Sequence, residues 1–160
     1  MLEYVLPHTE GLPERTLAAG EVLYEEGHES HTVAVLVDGV LAAESHGVPV
    51  YRHTAPGTFV GETGALLGQP RHATVTAEVE TVIREIGHPH DFFVTHPELA
   101  LEVARQLAGR LDRLLHYTAD VQTQLGHHDD HLGVFGELLH RIAHRPAVPM
   151  DPGSDRSPDY

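Results

Sequence analysis

Several residue types are missing from this chain of 160 residues, which contains no cysteine, no tryptophan and no lysine. The lack of cysteine excludes disulfides, thiolate metal sites and cysteine nucleophiles. The sequence has no run of about 18 apolar residues, so no membrane-spanning helix is predicted. Its N-terminus has no basic segment followed by a long apolar stretch. We therefore expect no secretory signal and a cytoplasmic location.

Positive charge is also scarce. The ten basic residues, all arginine, face 24 acidic residues, which gives a formal net charge of −14. Proteins that bind nucleic acids need a basic face that displaces counterions, so we expect no nucleic-acid partner. Any bound phosphate must instead be held by local contacts. A hydrophobic content of 41% is sufficient for the core of one domain with appendages.

The first half of the chain is typical of an all-β domain. Short β-branched and apolar runs are separated by glycine turns such as Asp38-Gly39 and Pro56-Gly57. The predicted strands are residues 22–24, 32–37, 40–43, 48–51, 74–78 and 82–86. This spacing predicts a β-roll or jelly roll rather than parallel βαβ units. Residues 1–18 are expected to form a loose arm or a short helix.

The most informative segment spans residues 61–75. It opens with Gly61-Glu62 and places Arg71 nine residues after the glutamate, with one predicted helical turn between them. A fixed cation beside backbone N–H groups at the start of a helical turn suits a small phosphate. The Glu62 carboxylate can accept a hydrogen bond from a sugar hydroxyl, so the pair indicates a nucleotide. The alternative is a structural ion pair between Glu62 and Arg71 across the turn.

This segment resembles the phosphate-binding cassette of the cyclic-nucleotide-binding domain family. The matching residues are Gly61-Glu62, Ala65-Leu66-Leu67, Pro70-Arg71 and Ala73-Thr74-Val75, with weaker similarity upstream at residues 19–27, 35–41 and 55–59. The resemblance covers about residues 15–125. It implies a mainly β fold with some α: a β-roll with an internal cassette, followed by a long C-terminal helix and a short helix.

The resemblance also implies roles for individual residues. Glu62 would bind the ribose 2′-hydroxyl, Arg71 the exocyclic phosphate oxygens, and N–H groups near Gly61 and Ala73 would complete the anion cradle. The candidate ligand-binding residues are Gly61, Glu62, Thr63, Arg71, His72 and Ala73. The expected ligand is a cyclic mononucleotide, with cyclic AMP as the first candidate, and no cofactor or metal is expected. His72 stands where the family usually has Ala, Ser or Thr.

A long helix is predicted after the roll. Thr95-His96-Pro97-Glu98 matches a capping box with proline in the first turn. Apolar or small residues then recur in steps of three and four, at Ala104, Leu107, Leu111, Leu114, Thr118, Val121 and Leu125. This heptad seam predicts a homodimer through residues 104–125. The alternative is a helix packed only on its own β-roll.

The expected organisation follows from these patterns. Residues 1–94 form the β-roll with an N-terminal arm, 95–126 the dimerisation helix, 127–145 a short amphipathic helix and 146–160 a disordered tail. Only 35 residues follow Leu125, so no DNA-binding domain is expected. The output would then pass to a protein partner, through the apolar face at residues 132–142.

Histidine offers competing interpretations. His28 and His31 on a β-barrel raise the possibility of a cupin-like metal enzyme, although their spacing departs from the cupin pattern. The cluster at residues 127–131 is a candidate metal site, but a solvated linker is favoured. The sequence therefore predicts a non-catalytic cyclic-nucleotide sensor. The alternatives are a degenerate dimeric scaffold, with His72 blocking the site, or the metal-dependent enzyme.

Overall fold

The computed structural model describes the backbone of residues 3–125 and the side chains of residues 4–120. This part of the chain contains eight strands, namely β1 Glu14–Leu17, β2 Val22–Tyr24, β3 Val33–Asp38, β4 Leu41–Ser45, β5 Val48–His53, β6 Phe59–Val60, β7 Thr74–Ala77 and β8 Thr81–Ile86. They form two antiparallel sheets, with strand orders β1-β8-β3-β6 and β2-β7-β4-β5. The predicted β-roll is confirmed.

Within residues 3–125, four helical segments accompany the sheets. They are a 3-10 helix at Glu3–Thr9, α1 at Glu62–Leu67, α2 at Pro89–Thr95 and α3 at Pro97–Leu125. No described helix is both long enough and apolar enough to cross a membrane. Residues up to Arg110 form one compact unit, and a second unit begins at Leu111 within α3.

The core has two parts because β3 is buried on both faces, which explains its nearly continuous apolar sequence. Ala34 and Leu36 join the cluster between the two sheets. Val33 and Val35 point to the opposite face, where residues of the 3-10 helix, α2 and the first turns of α3 cover the sheet. This outer cluster fixes the start of α3 against the roll.

The predicted capping box at Thr95 is wrong. Thr95 is the last residue of α2, and its hydroxyl donates back to the carbonyl oxygens of Asp91 and Phe92. A proline disfavours the helical conformation of the residue before it, and His96 accordingly has φ −128° and ψ 68°. Pro97 does lie at the start of α3, as predicted. The long helix is therefore preceded by a separate short one.

Several other elements were not predicted from the sequence. These are strands β1 and β6 and helix α2, together with the exact extent of the N-terminal 3-10 helix. The predicted short helix and tail after residue 126, and the histidine cluster at 127–131, lie outside the described residues.

Candidate functional site

A cavity of about 140 Å³ opens beside the N-terminal end of α1. Its walls come from strands β2, β4, β5, β6 and β7, from α1, from the segment before β7, and from Arg110 of α3. All six ligand-binding candidates line it, namely Gly61, Glu62, Thr63, Arg71, His72 and Ala73. The fold therefore brings the two ends of the predicted cassette to one site.

Gly61 is required by the geometry at this site. Its φ is +84°, a conformation that side chains disfavour. A Cβ here would lie 2.5 Å from Nη1 of Arg71 and 2.8 Å from Cε2 of Tyr24. The Gly61 carbonyl instead accepts a hydrogen bond of 2.7 Å from Arg71 Nη1. The missing side chain thus makes room for the guanidinium.

Arg71 is held by the fold rather than extended into solvent, and only 4% of it is exposed. Besides the Gly61 carbonyl, it donates to Ser30 Oγ at 2.8 Å and to the Thr32 carbonyl at 2.6 Å. The guanidinium lies 3.7 Å from the centre of the Tyr24 ring. Burial lowers the pKa of Arg71 from its ordinary value, because the cation has lost much of its hydration.

One Arg71 donor is unused. Nε is buried and has no hydrogen-bond partner among the described residues. Both Nη atoms, by contrast, donate to protein oxygens. A buried N–H without a partner is unusual and costs about 1–3 kcal/mol. An anion bound beside Arg71 would supply the missing acceptor.

Glu62 is almost completely buried, with 1% exposed. Its carboxylate pairs with Arg110 Nη1 and also accepts a hydrogen bond of 3.1 Å from the Thr63 hydroxyl. Arg110 in turn donates to the Phe59 carbonyl at 3.1 Å, and its guanidinium lies 5.0 Å from the Tyr51 ring centre. The interpretation of Glu62 and Arg71 as a mutual ion pair is therefore wrong, since Arg110 provides the partner.

His72 lies at the rim of the cavity. Its side chain is exposed, and Nε2 is 3.0 Å from Oε1 of Gln69. The neighbouring Ala73 is partly buried. This position of the imidazole gives no support to a blocked site.

Sequence reasoning missed other cavity residues, above all Arg110. The helical spacing of the residues before Arg110 is a signal that this side chain faces the roll. Leu99 and Val103 are buried against the roll, and Gln106 and Arg110 continue the same helical spacing. An arginine that follows apolar core positions on the same helix face indicates a buried carboxylate as its partner, because buried charges are paired.

No three histidine, aspartate or glutamate side chains come together as a metal site within the described part of the chain. His28 and His31 are both exposed there. The cupin-like alternative therefore gains no support from these two residues.

Comparison with known proteins agrees with this architecture. Residues 14–92 match the model of the cyclic nucleotide-binding domain. Lysophospholipase NTE1 of Cryptococcus neoformans var. neoformans serotype D is 30% identical over 106 residues, covering 62% of this chain. The matched part is only 6% of that relative's length, so the match concerns a small part of that protein.

Solved structures share the fold, among them the following two. One belongs to a cyclic-GMP-dependent signalling pathway that regulates bacterial phytopathogenesis; it is 25% identical with a TM-score of 0.58, covering 71% of this chain and 95% of that one. The other is the regulatory subunit of a cAMP-independent protein kinase A from Trypanosoma brucei. It is 16% identical with a TM-score of 0.54, over 67% of this chain and 43% of that one. Residues 14–92 of this chain therefore form a cyclic nucleotide-binding domain.

Proposed function

We propose that this protein is a non-catalytic sensor that binds a cyclic mononucleotide, with cyclic AMP as the first candidate. The observation that carries the proposal is the buried Nε of Arg71, which has no hydrogen-bond partner among the described residues and belongs to a side chain that lines the same cavity as Glu62. A phosphate oxygen is a strong acceptor for such a donor. The ribose would then lie toward Glu62.

The electrostatics of the cavity support an anionic ligand despite the formal net charge of −14. Two guanidinium groups, those of Arg71 and Arg110, line the cavity beside one carboxylate, that of Glu62. The missing Cβ at Gly61 gives the guanidinium of Arg71 its place in the cavity wall. Local contacts therefore favour a bound phosphate where long-range charge opposes it.

Ligand binding would be coupled to α3 through the Glu62–Arg110 pair. A ribose hydroxyl that donates to Glu62 adds a partner to the carboxylate that holds Arg110. Arg110 is the last residue of the first compact unit, and Leu111 begins the second. Any change in the Arg110 contacts therefore acts on α3, and a ligand with different affinities for two states of the Glu62–Arg110 pair shifts their populations.

Cyclic AMP and cyclic GMP are both candidate ligands. Of the two similar proteins described above, one belongs to a cyclic-GMP-dependent pathway and the other to a cAMP-independent kinase. A third structure of the same fold, at 21% identity and a TM-score of 0.50, is a cAMP-bound PfPKA-R. Cyclic AMP and cyclic GMP are therefore both needed in a binding test.

The test is calorimetric titration of the wild type and of Arg71→Lys with each nucleotide. Lysine keeps the positive charge but has no counterpart of Nε and cannot form the guanidinium fork. We expect the wild type to bind and Arg71→Lys to lose about 10- to 100-fold in affinity, the effect of one lost charge-assisted hydrogen bond.

Arg84→Lys is the matched control. Arg84 is also largely buried, and it donates to the Leu6 carbonyl and the Thr9 hydroxyl, but it does not line the cavity. It should retain wild-type affinity while suffering a similar loss of stability. Equal affinity of all three proteins would contradict the proposed role of Arg71.

A scaffold that binds no nucleotide is the second candidate. It is favoured by the fact that both Nη atoms of Arg71 already bond to the protein's own oxygens. Absence of binding heat from the wild type with either nucleotide would support it and reject the sensor.

The signal would leave through protein contacts in the cytoplasm. We propose a homodimer through residues 104–125 and an unidentified protein partner. Leu111, Leu114 and Leu115 are all more than half exposed, and the first two belong to the predicted heptad seam. Apolar side chains repeated at this spacing are typical of a helix that pairs with a second helix.

A further inference from the structure

His53, the last residue of β5, is a buried polar side chain that the roles proposed above do not use. It lines the cavity, and only 8% of it is exposed. Its ring stacks on that of Tyr51, with centres 5.3 Å apart and planes at 10°. Neither ring nitrogen forms a hydrogen bond within residues 4–120, the part of the chain whose side chains are described. The imidazole lines the cavity, and its nitrogens are not among the fully buried, unpaired side-chain atoms of the described residues, so a bound ligand can reach them.

The imidazole is neutral at physiological pH. Burial lowers the pKa of His53 to about 4, and the positive charge of Arg110 acts in the same direction. A neutral imidazole has one N–H donor and one nitrogen acceptor. It can therefore form a hydrogen bond with an uncharged polar group without adding a third positive charge to the cavity.

His53 and Arg71 belong to different parts of the cavity. The guanidinium of Arg71 stacks on Tyr24 of β2, whereas His53 stacks on Tyr51 of β5. The arginine whose charge bears on His53 is Arg110, which pairs with Glu62. If the phosphate lies at Arg71 and the ribose at Glu62, the group left to reach His53 is the base.

We infer that His53 determines base specificity by forming a hydrogen bond with a polar atom on the edge of a nucleobase. The Tyr51 ring, which stacks on the imidazole, would hold it in place. This inference rests on the proposed function, because it requires the nucleotide to occupy the cavity. The expected ligand is a cyclic nucleotide whose base carries a polar atom on its six-membered ring.

The test combines variants of His53 with variants of the ligand. His53→Phe keeps an aromatic ring and removes both nitrogens, and His53→Gln restores a neutral donor and acceptor. The titrants are cyclic AMP, cyclic GMP and the cyclic monophosphate of benzimidazole riboside. The last keeps the fused rings, the ribose and the cyclic phosphate but has no polar atom on the six-membered ring.

We expect His53→Phe to bind the better of the two natural nucleotides about tenfold more weakly than the wild type does, and the benzimidazole analogue equally well. His53→Gln should recover part of the loss. An equal loss for all three titrants, or no loss for any of them, overturns the role of His53 but leaves the proposed function intact. Absence of binding by the wild type overturns both.

An observation on the wild type gives an independent check. The ring nitrogens of His53 can be followed by ¹⁵N NMR, which reports hydrogen bonding to each nitrogen. Cyclic AMP or cyclic GMP should shift one of them, and the benzimidazole analogue should leave both near their ligand-free positions. Identical shifts with all three ligands would reject a contact with the base edge.

Discussion

At the scale of single residues, Gly61 shows how one missing side chain shapes the site. Its carbonyl and its open α-carbon both face the guanidinium of Arg71. Sequence reasoning identified this glycine as the point where the backbone approaches a phosphate. The structure adds that the guanidinium itself occupies the space where a Cβ would be.

Gly61→Ala should destabilise the protein by about 2–4 kcal/mol, because it adds a strained backbone conformation and a clash with Arg71 and Tyr24. Gly20→Ala is the control, since Gly20 has the same φ of +84° but nothing within 4 Å of a Cβ. That variant should lose only about 1–2 kcal/mol. Urea unfolding measures both, and equal losses would show that the clash is relieved at no cost.

His53 makes a residue-scale prediction about pH. Its pKa is about 4 in the folded chain and 6.5 in the ordinary state. Between these values the unfolded chain binds a proton that the folded chain does not. Stability contributed by His53 is therefore complete above pH 6.5, falls as the pH drops toward 4 and is lost below it.

The measurement compares the free energy of unfolding of the wild type and His53→Phe at pH 7 and pH 5. The wild type should lose about 2 kcal/mol more than the variant over this interval. The other histidines are common to both proteins, so their effects cancel in the difference. Parallel pH curves would mean that His53 is not held neutral by burial.

At the scale of elements, the Glu62–Arg110 pair joins α1 to α3. The side chain of Glu62 is 2% exposed and that of Arg110 19%. Removing one partner from a buried pair leaves an uncompensated charge, so Arg110→Leu should cost about 3–5 kcal/mol. Adding Glu62→Gln to this variant should restore part of the loss, because the buried charge is then absent.

Arg105→Leu provides the comparison on the same helix. Arg105 lies 3.6 Å from Glu102, but 64% of its side chain is exposed. Exposed pairs contribute about 0–1 kcal/mol, so this variant should unfold almost like the wild type. Thermal unfolding separates the two cases, and a similar small effect of Arg110→Leu would contradict the coupling between α1 and α3.

Elements differed in how well the sequence predicted them. Strands such as β3 and β8 have β-branched residues bounded by turn signals, and both were predicted within one residue at each end. The two-residue strand β6 has no periodic pattern of its own and exists because Phe59 and Val60 pair with β3. Helix α2 was missed because a seven-residue helix has too few turns to show a periodicity.

At the scale of the whole molecule, the described apolar seam residues of the second unit, Leu111 and Leu114, are more than half exposed. Leu114 is 61% exposed and lies on the predicted heptad seam, while Leu115 is 55% exposed and lies off it. If residues 104–125 pair between two copies, Leu114→Glu should shift the protein toward monomers, because it places a charge in the seam. Sedimentation equilibrium measures the change.

Leu115→Glu is matched to Leu114→Glu in chemistry and exposure, and it should sediment as the wild type does. A monomeric wild type, or equal effects of the two substitutions, would count against the proposed dimer.

The sequence by itself determined six of the eight described strands, the start of the long helix at Pro97 and the resemblance to a known cassette, because these depend on local periodicity, turn residues and the motif around Gly61, Glu62 and Arg71. Only the tertiary structure decided which groups meet in the cavity. Arg110 reaches Glu62 across 48 positions, and Ser30 and Thr32 reach Arg71 across about 40. Such contacts depend on how sheets and helices pack, and no short-range pattern in the sequence encodes their distances.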